Sequence, residues 1–263
     1  MDKTIGFIGC GNMGSAIVKG ILNQQLFSKD KIWVSDRQNA RAIAEQLGIQ
    51  YAANTEIAKQ DIIVLAVKPN IMAKVLAEIK PLIQPHQIIV TIAVGLTIRF
   101  YKDILGDNIK LVRVMPNTPV AVGEGMSTLT CEAPVTEEDQ NTVRSIFNAI
   151  GQTAVIDEYL MNTASAVAGS SPALVDLFIE AMADGAVRHG LPRQIAYEMV
   201  TQAILGSAKL ARDTKIHPGV LKDQVCSPAG TTIEAVTTLE KHNFRYAVID
   251  AITECVKKAD KMS

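Results

Sequence analysis

The sequence predicts an α/β protein in which a doubly wound parallel sheet is followed by an all-helical C-terminal domain. Through residues 1–157, short apolar runs typical of strands buried on both faces alternate with helical segments. The first apolar run leads directly into a glycine-rich turn and a helix. Strand signals end near Asp157, and residues 158–263 follow helical periodicity.

The glycine-rich turn follows the first predicted strand, residues 5–8. Gly9 permits a sharp turn, Gly11 lets a pyrophosphate approach the backbone, and Gly14 lets the next helix pack against the strand. A second strand ends at Asp36, near the usual offset for the residue that binds an adenosine ribose. This order predicts a Rossmann-type dinucleotide site; the alternative is a structural glycine turn.

The remaining strands of the sheet are recognised by their apolar runs. A helix over residues 38–47 ends at Gly48, and Thr136 caps a helix that reaches Asn148. Because ligands bind beyond the carboxyl ends of parallel strands, the segments that follow the strands ending near Val67, Ala93 and Val114 should line one crevice with the glycine turn. Further strands are predicted at residues 49–52, 61–67, 87–93, 108–114 and 152–156.

Composition excludes several classes of function. The net charge is -1 with 48% hydrophobic and 20% charged residues, so neither a nucleic-acid partner nor a membrane surface is expected. The four cysteines have no metal-ligand spacing, which predicts reduced thiols and no metal site. Without a signal segment or a run of 18 apolar residues, we expect a cytoplasmic protein.

The C-terminal domain carries apolar residues on more than one helix face. This pattern indicates burial against a partner subunit, since about 100 residues make a thin core by themselves. Helices are predicted at residues 158–168, 172–189, 192–211, 218–225, 231–241 and 243–260.

Residues 223–235 break one helix and start another. Ser227, Thr231 and Thr232 bring three hydroxyls to the first turn of the new helix, whose free amides could hold a small carboxylate. The alternative is a capped helix start, in which the hydroxyls satisfy backbone amides alone. The residues themselves leave both interpretations open.

Five motifs stand out along the chain, at residues 5–14, 66–69, 115–119, 169–173 and 217–232. Together they resemble the pyrroline-5-carboxylate reductase family over nearly the whole chain. The resemblance implies a Rossmann domain, then a helical domain that interlocks with a second subunit to form a homodimer or a larger assembly of dimers.

The family resemblance also implies a reaction and a set of site residues. NADPH or NADH gives a hydride to the C=N carbon of 1-pyrroline-5-carboxylate, which yields L-proline in the last step of proline biosynthesis. Ser227, Thr231 and Thr232 would hold the substrate carboxylate, with Thr232 also near the ring nitrogen. The implied cofactor-binding residues are Gly9, Cys10, Gly11, Asn12, Met13, Gly14, Ser35, Asp36, Arg37, Asn54, Ala66, Val67, Lys68, Pro69, Ala93 and Asn117.

The chain departs from the family pattern at two places. Ala229 replaces a glycine, so a positive φ there would be strained. Lys215 and Ile216 stand where relatives often carry polar or acidic side chains. His217 is expected to be a structural residue at a helix start.

Three roles stay open in the predicted site. Lys68 could donate a proton or could contact the cofactor mainly through its backbone, the interpretation we favour. Asn117 could hold the nicotinamide carboxamide or only stabilise its own turn. Asp36 favours the 2'-hydroxyl of NADH, whereas Ser35 and Arg37 could hold a 2'-phosphate; we predict NADPH with NADH accepted.

Two other functions compete with the reductase. A β-hydroxyacid dehydrogenase would need a catalytic lysine on a long interdomain helix, and residues 158–182 contain no lysine. A non-catalytic NADP-sensing regulator would need no second anion site, so the hydroxyl-rich turn at residues 227–232 argues against it.

Overall fold

A computed structural model gives the structure of residues 1–36 and 39–261. The chain forms two compact units. The first comprises Met1–Ser170 with the residues from Val256 onward, and the second comprises Ser171–Cys255. The predicted boundary between functional domains, at residues 157 and 158, stays a prediction.

The first unit is built on one eight-stranded sheet. Its strands are β1 (Ile5–Ile8), β2 (Ile32–Ser35), β3 (Gln50–Tyr51), β4 (Ile62–Leu65), β5 (Ile88–Thr91), β6 (Lys110–Met115), β7 (Gly125–Cys131) and β8 (Gly151–Val155). They lie in the order β3-β2-β1-β4-β5-β6-β7-β8, and every neighbouring pair is parallel except β6 and β7. The order reverses beside β1, which makes the gap between β1 and β4 a switch point for ligand binding.

Helices cover both faces of this sheet. Phe7 belongs to one core with Ile17, whereas Leu65 belongs to the other with Leu76 and Tyr101; all five are fully buried. The helices of this unit are α1 (Asn12–Asn23), α2 (Ala40–Leu47), α3 (Asn54–Ile57), α4 (Pro69–Ile79), α5 (Ile98–Leu105), α6 (Glu137–Asn148) and α7 (Met161–Ala164).

Local signals located most of these elements. The first strand has the predicted bounds, Gly48 ends α2 with a φ of 69°, and Thr136 forms a capping box with Asp139 at the start of α6. The prediction omitted β7, a strand rich in serine and threonine, and so missed the antiparallel pair. The predicted helix over residues 158–168 is instead a 3₁₀ turn, the short α7 and a π-helix over Ser165–Gly169.

In the second unit, every regular element among the described residues is a helix. Phe178 and Phe244 contact each other with ring centroids 5.9 Å apart. Large apolar side chains remain exposed, including Leu177, Met199 and Ile249. The helices are α8 (Ser171–Arg188), α9 (Arg193–Thr214), α10 (Pro218–Val225), α11 (Thr231–Lys241) and α12 (Phe244–Asp260), the last of which runs on into the first unit.

One helical stretch, Glu158–Arg188, is long and apolar enough to cross a membrane by length and composition alone. Its most apolar window has a mean hydropathy of 1.3, and 11% of that window is buried. A helix that packs against another protein chain passes the same test, so length and composition alone do not identify what this stretch contacts.

Candidate active site

The glycine turn between β1 and α1 is shaped by close backbone packing. Gly9 has a φ of 99°, and a Cβ there would lie 2.5 Å from the carbonyl oxygen of Ala66. A Cβ on Gly14 would lie 2.6 Å from the carbonyl oxygen of Gly9, whereas one on Gly11 would meet no atom within 4 Å. Gly9 and Gly14 are therefore required by the fold, while Gly11 leaves open space beside the start of α1.

A cavity of about 550 Å³ opens beside this turn, at the carboxyl ends of β1, β2 and β4. It brings together eight of the residues predicted to bind the cofactor: Gly9, Gly11, Ser35, Asp36, Asn54, Ala66, Val67 and Lys68. It is also lined by residues that the sequence analysis did not single out: Ile8, Ala53, Ile71, Lys74, Val75 and Glu78.

The other predicted cofactor residues that the structure describes do not line this cavity. Pro69 is the first residue of α4, and Ala93 is buried just after β5. Arg37 lies outside the described residues, as does Gln38. The remaining members of this group are Cys10, Asn12, Met13, Gly14 and Asn117.

Asp36 is connected to the glycine turn. Its Oδ2 accepts a hydrogen bond from the backbone N–H of Cys10 at 3.0 Å. Burial, followed by the charge of Asp36, raises the pKa of the Cys10 thiol to about 11. Because the thiolate is the nucleophilic form, this environment disfavours a reactive thiol at Cys10.

A chain of three side chains crosses the far wall of the cavity. The Ser35 hydroxyl, 7% exposed, donates to Asn54 Oδ1 at 2.6 Å. Asn54 Nδ2 in turn donates to Glu78 Oε2 at 3.0 Å. Ser35 is the last residue of β2, Asn54 is the first residue of α3, and Glu78 lies in the last turn of α4. The three residues therefore come together only when the sheet and its helices have folded.

Asn117 is buried and uses both ends of its amide within the first unit. Its Oδ1 accepts from the backbone N–H of Met126 at 2.8 Å, and its Nδ2 donates to the carbonyl oxygen of Ala168 at 3.0 Å. These bonds connect the end of β6 to β7 and to the π-helix. One Nδ2 hydrogen remains for a ligand, so the position is compatible with both predicted roles of Asn117.

Lys68 is exposed at the N-cap of α4, where its carbonyl oxygen accepts from the N–H of Ile71 at 3.1 Å. The residue also lines the cavity. The position is compatible with both roles of Lys68, and the preference for its backbone stays a prediction.

The hydroxyl-rich turn lies in the second unit. The N–H of Gly230 donates to the carbonyl oxygen of Ser227 at 3.1 Å, and α11 begins at Thr231. The N-cap is Gly230, which has no side chain that could cap the first turn. The first-turn amides are therefore not capped by the N-cap residue, and both interpretations of the three hydroxyls stay open.

Ala229 has a φ of 56°, the left-handed conformation that the sequence analysis described as strained. His217 is the N-cap of α10 and accepts from the N–H of Gly219 at 3.1 Å through Nδ1. The structural role expected for His217 agrees with this contact.

The chain is similar to known proteins over its whole length. A family model described as pyrroline-5-carboxylate reductase dimerisation matches residues 158–262, and one described as NADP oxidoreductase coenzyme F420-dependent matches residues 4–95. Pyrroline-5-carboxylate reductase of Escherichia coli is 47% identical over 267 residues, covering 100% of this chain and 99% of that protein. The Arabidopsis thaliana reductase is 36% identical, covering 98% and 95%.

Solved structures of pyrroline-5-carboxylate reductases are also similar to this chain over its full length. The Plasmodium falciparum pyrroline carboxylate reductase, solved with NADP bound, is 35% identical with a TM-score of 0.88, covering 99% of this chain and 98% of that chain. The reductase of Coxiella burnetii is 31% identical with a TM-score of 0.94, covering 100% and 99%.

The parallel sheet, the glycine turn and the cavity at the switch point define a Rossmann-type dinucleotide-dependent oxidoreductase. The full-length relatives narrow this class further. The chain belongs to the pyrroline-5-carboxylate reductase family. The resemblance, the fold class and the enzyme class predicted from the sequence are thereby confirmed.

Proposed function

We propose that this chain reduces the C=N bond of 1-pyrroline-5-carboxylate with NADPH and releases L-proline, the last step of proline biosynthesis. The observation that carries the proposal is full-length similarity to reductases of this name, with 47% identity to the Escherichia coli enzyme. The cofactor is supported by the Plasmodium falciparum relative, which was solved with NADP bound.

The first unit has room for a dinucleotide where the proposal needs it. A side chain at Gly11 would occupy open space, and this space adjoins a cavity of about 550 Å³. The backbone of residues 9–14 and the start of α1 would hold the pyrophosphate through free amides. Ser35, Asp36 and Asn54 would contact the adenosine ribose, and residues 66–69 would line the path toward the nicotinamide. When bound, the reduced nicotinamide supplies the hydride.

The substrate carboxylate would be held by the second unit. Ser227, Thr231 and Thr232 would donate hydroxyls, and the first-turn amides of α11 would add the positive end of a helix dipole. Hydride addition to an imine is easiest when the nitrogen is protonated, so the site needs orientation more than a strong acid. Thr232 would then accept or donate a hydrogen bond at the ring nitrogen as the amine forms.

The direct test is an assay of NADPH oxidation by the purified full chain with 1-pyrroline-5-carboxylate. We expect substrate-dependent oxidation and formation of proline, with NADH also accepted at a lower kcat/KM. Binding of NADP⁺ without turnover would instead support a regulator that senses the cofactor. Turnover of β-hydroxyacids in place of the cyclic imine would support the dehydrogenase alternative.

The role of Thr232 has a matched control in the same helix. Thr232→Ala should lower kcat and raise KM for 1-pyrroline-5-carboxylate by about tenfold or more, since a charge-assisted hydrogen bond is lost. Thr237 uses its hydroxyl within α11, donating to the carbonyl oxygens of Ile233 and Glu234. Thr237→Ala should therefore retain activity. Unchanged kinetics in Thr232→Ala would remove this residue from the site.

We also place the functional protein in a homodimer, or a larger assembly of dimers, in the cytoplasm. Support comes from the dimerisation family model over residues 158–262 and from exposed apolar side chains on α8, α9 and α12. An apolar surface of this kind is typical of an obligate subunit interface. Light scattering coupled to gel filtration should give at least twice the mass of the chain; a monomeric mass would contradict the assignment.

A further inference from the structure

We propose that Glu78 is a positioning residue that sets the direction of the hydrogen bond at Ser35 and so weakens the preference for NADPH over NADH. The inference rests on the proposed function, because it concerns the cofactor of that site. Glu78 lines the cavity from the last turn of α4 and reaches Ser35 through Asn54.

The direction of the chain follows from the chemistry of Glu78. An ionised carboxylate has no hydrogen to donate, so only the NH₂ end of the Asn54 amide can face it. The carbonyl end of the same amide must then face Ser35, at an Oγ to Oδ1 distance of 2.6 Å. A carbonyl oxygen accepts only, so the Ser35 hydroxyl is forced to be the donor. What Ser35 offers to a ligand in the cavity is its lone pairs.

The direction of the Ser35 hydrogen bond affects NADH and NADPH differently, because the two cofactors carry different groups at the 2' position of the adenosine ribose. The 2'-hydroxyl of NADH has a hydrogen and can donate to Ser35. A 2'-phosphate is mostly doubly ionised near neutral pH, as other phosphate monoesters are, and its oxygens only accept. Two acceptors would then face each other beside Asp36, whose carboxylate lines the same cavity and has the same polarity. The chain of contacts therefore favours a 2'-hydroxyl at Ser35.

Glu78→Gln is the sharpest perturbation, because it keeps the size of the side chain and changes its hydrogen-bonding capacity. A glutamine NH₂ can donate to the carbonyl end of Asn54, which allows the Asn54 amide to turn over. Its NH₂ end then donates to Ser35, and the Ser35 hydroxyl is released toward the phosphate. We expect the preference for NADP⁺ over NAD⁺ to rise by about threefold to tenfold, the size of one net hydrogen bond.

Removing the negative charge of Glu78 could favour a phosphate by electrostatics alone. Repeating the substitution in an Asn54→Ala variant separates this charge effect from the hydrogen-bond effect. In Asn54→Ala the connection between Glu78 and Ser35 is absent, so Glu78→Gln should no longer change the preference. A charge effect would persist in that background. Glu56→Gln is the matched control: Glu56 is exposed on α3, where it pairs with Lys59 at 2.7 Å, and its substitution should leave the preference unchanged.

The experiment measures the dissociation constants of NADP⁺ and NAD⁺ by isothermal titration on the full chain and its variants, alongside kcat/KM for NADPH and NADH. A rise in preference that disappears in Asn54→Ala supports the inference. No rise in Glu78→Gln, or an equal rise in both backgrounds, overturns it. Failure of the proposed function is separately visible, since the wild-type chain would then bind a cofactor without reducing 1-pyrroline-5-carboxylate.

Discussion

Gly11→Ala separates cofactor binding from folding at the glycine turn. Gly11 has φ and ψ of -71° and -163°, an extended conformation that alanine adopts readily. Its new Cβ would meet no protein atom within 4 Å. We therefore expect the free energy of unfolding to change by no more than about 0.5 kcal/mol.

The same methyl group would project into the space where a pyrophosphate must approach the backbone. Displacing the phosphate from the first-turn amides of α1 should lower the affinity for NADP⁺ by at least about tenfold, which corresponds to about 1.4 kcal/mol. Isothermal titration with NADP⁺ and urea unfolding, on the same preparation, measure the two quantities independently.

Gly14→Ala is the contrasting variant. Its Cβ would lie 2.6 Å from the carbonyl oxygen of Gly9, so the strand and the helix would have to move apart. Such overpacking costs about 1–3 kcal/mol of folding free energy. The reasoning would be refuted if Gly11→Ala bound NADP⁺ as tightly as the wild type, or if it destabilised the fold as much as Gly14→Ala does.

Three further predictions concern other parts of the chain. Ala229→Gly should relieve left-handed strain of about 1 kcal/mol and leave the chain at least as stable in urea unfolding, whereas valine at this position should destabilise it. Burial raises the pKa of Asp139, but hydrogen bonds from Lys110 and Thr136 outweigh it and hold the pKa below its usual value. Asp139→Asn should therefore cost about 1–3 kcal/mol above pH 5, and the difference from the wild type should shrink as the pH falls below the usual aspartate pKa of about 3.9, which unfolding curves across pH would detect. We infer that the backbone of the exposed Lys68, rather than its ammonium group, serves the site, so Lys68→Met should keep kcat within about threefold in the NADPH assay; a larger loss would support a proton donor.

The part of the fold that the sequence predicts is the part fixed by neighbours along the chain. Residues 5–8 are uniformly apolar and precede three glycines, so both the strand and the turn follow from local rules. Thr136 and Asp139 are three residues apart and form their capping box without help from the rest of the molecule. Each of these predictions agrees with the structure.

The elements that escaped prediction depend on distant partners. β7 is rich in serine and threonine, and its place in the sheet depends on pairing with β6 and β8. The ion pair between Arg113 and Glu158, 3.0 Å apart, joins residues 45 positions apart and buries the arginine almost completely. Nothing in the local sequence distinguishes such an arginine from an exposed one.

The contrast between local and distant determinants also explains which residues of the candidate cofactor site could be predicted from the sequence. The glycines and Asp36 could be predicted because their spacing follows from one strand, one turn and one helix. Lys74 and Glu78 could not, since their place in the cavity depends on how α4 lies against the sheet. Their spacing of four residues places both on one face of the helix that begins at Pro69, and this is the signal that could have located them.

The two predicted anion sites share one property of helix chemistry. Thr97 and Thr136 cap their own helices, accepting hydrogen bonds from the amides of Phe100 and Asp139. The N-caps of α1 and α11 are glycines, which have no side chain to accept a hydrogen bond from the first turn. At Gly230 a Cβ would lie 2.3 Å from the Ser227 hydroxyl oxygen, so a capping side chain could not be added there without displacing Ser227. The chain thus forgoes the stability of a side-chain cap, roughly a few tenths of a kcal/mol relative to glycine, at the helix starts where the proposed function requires amides that a ligand can reach.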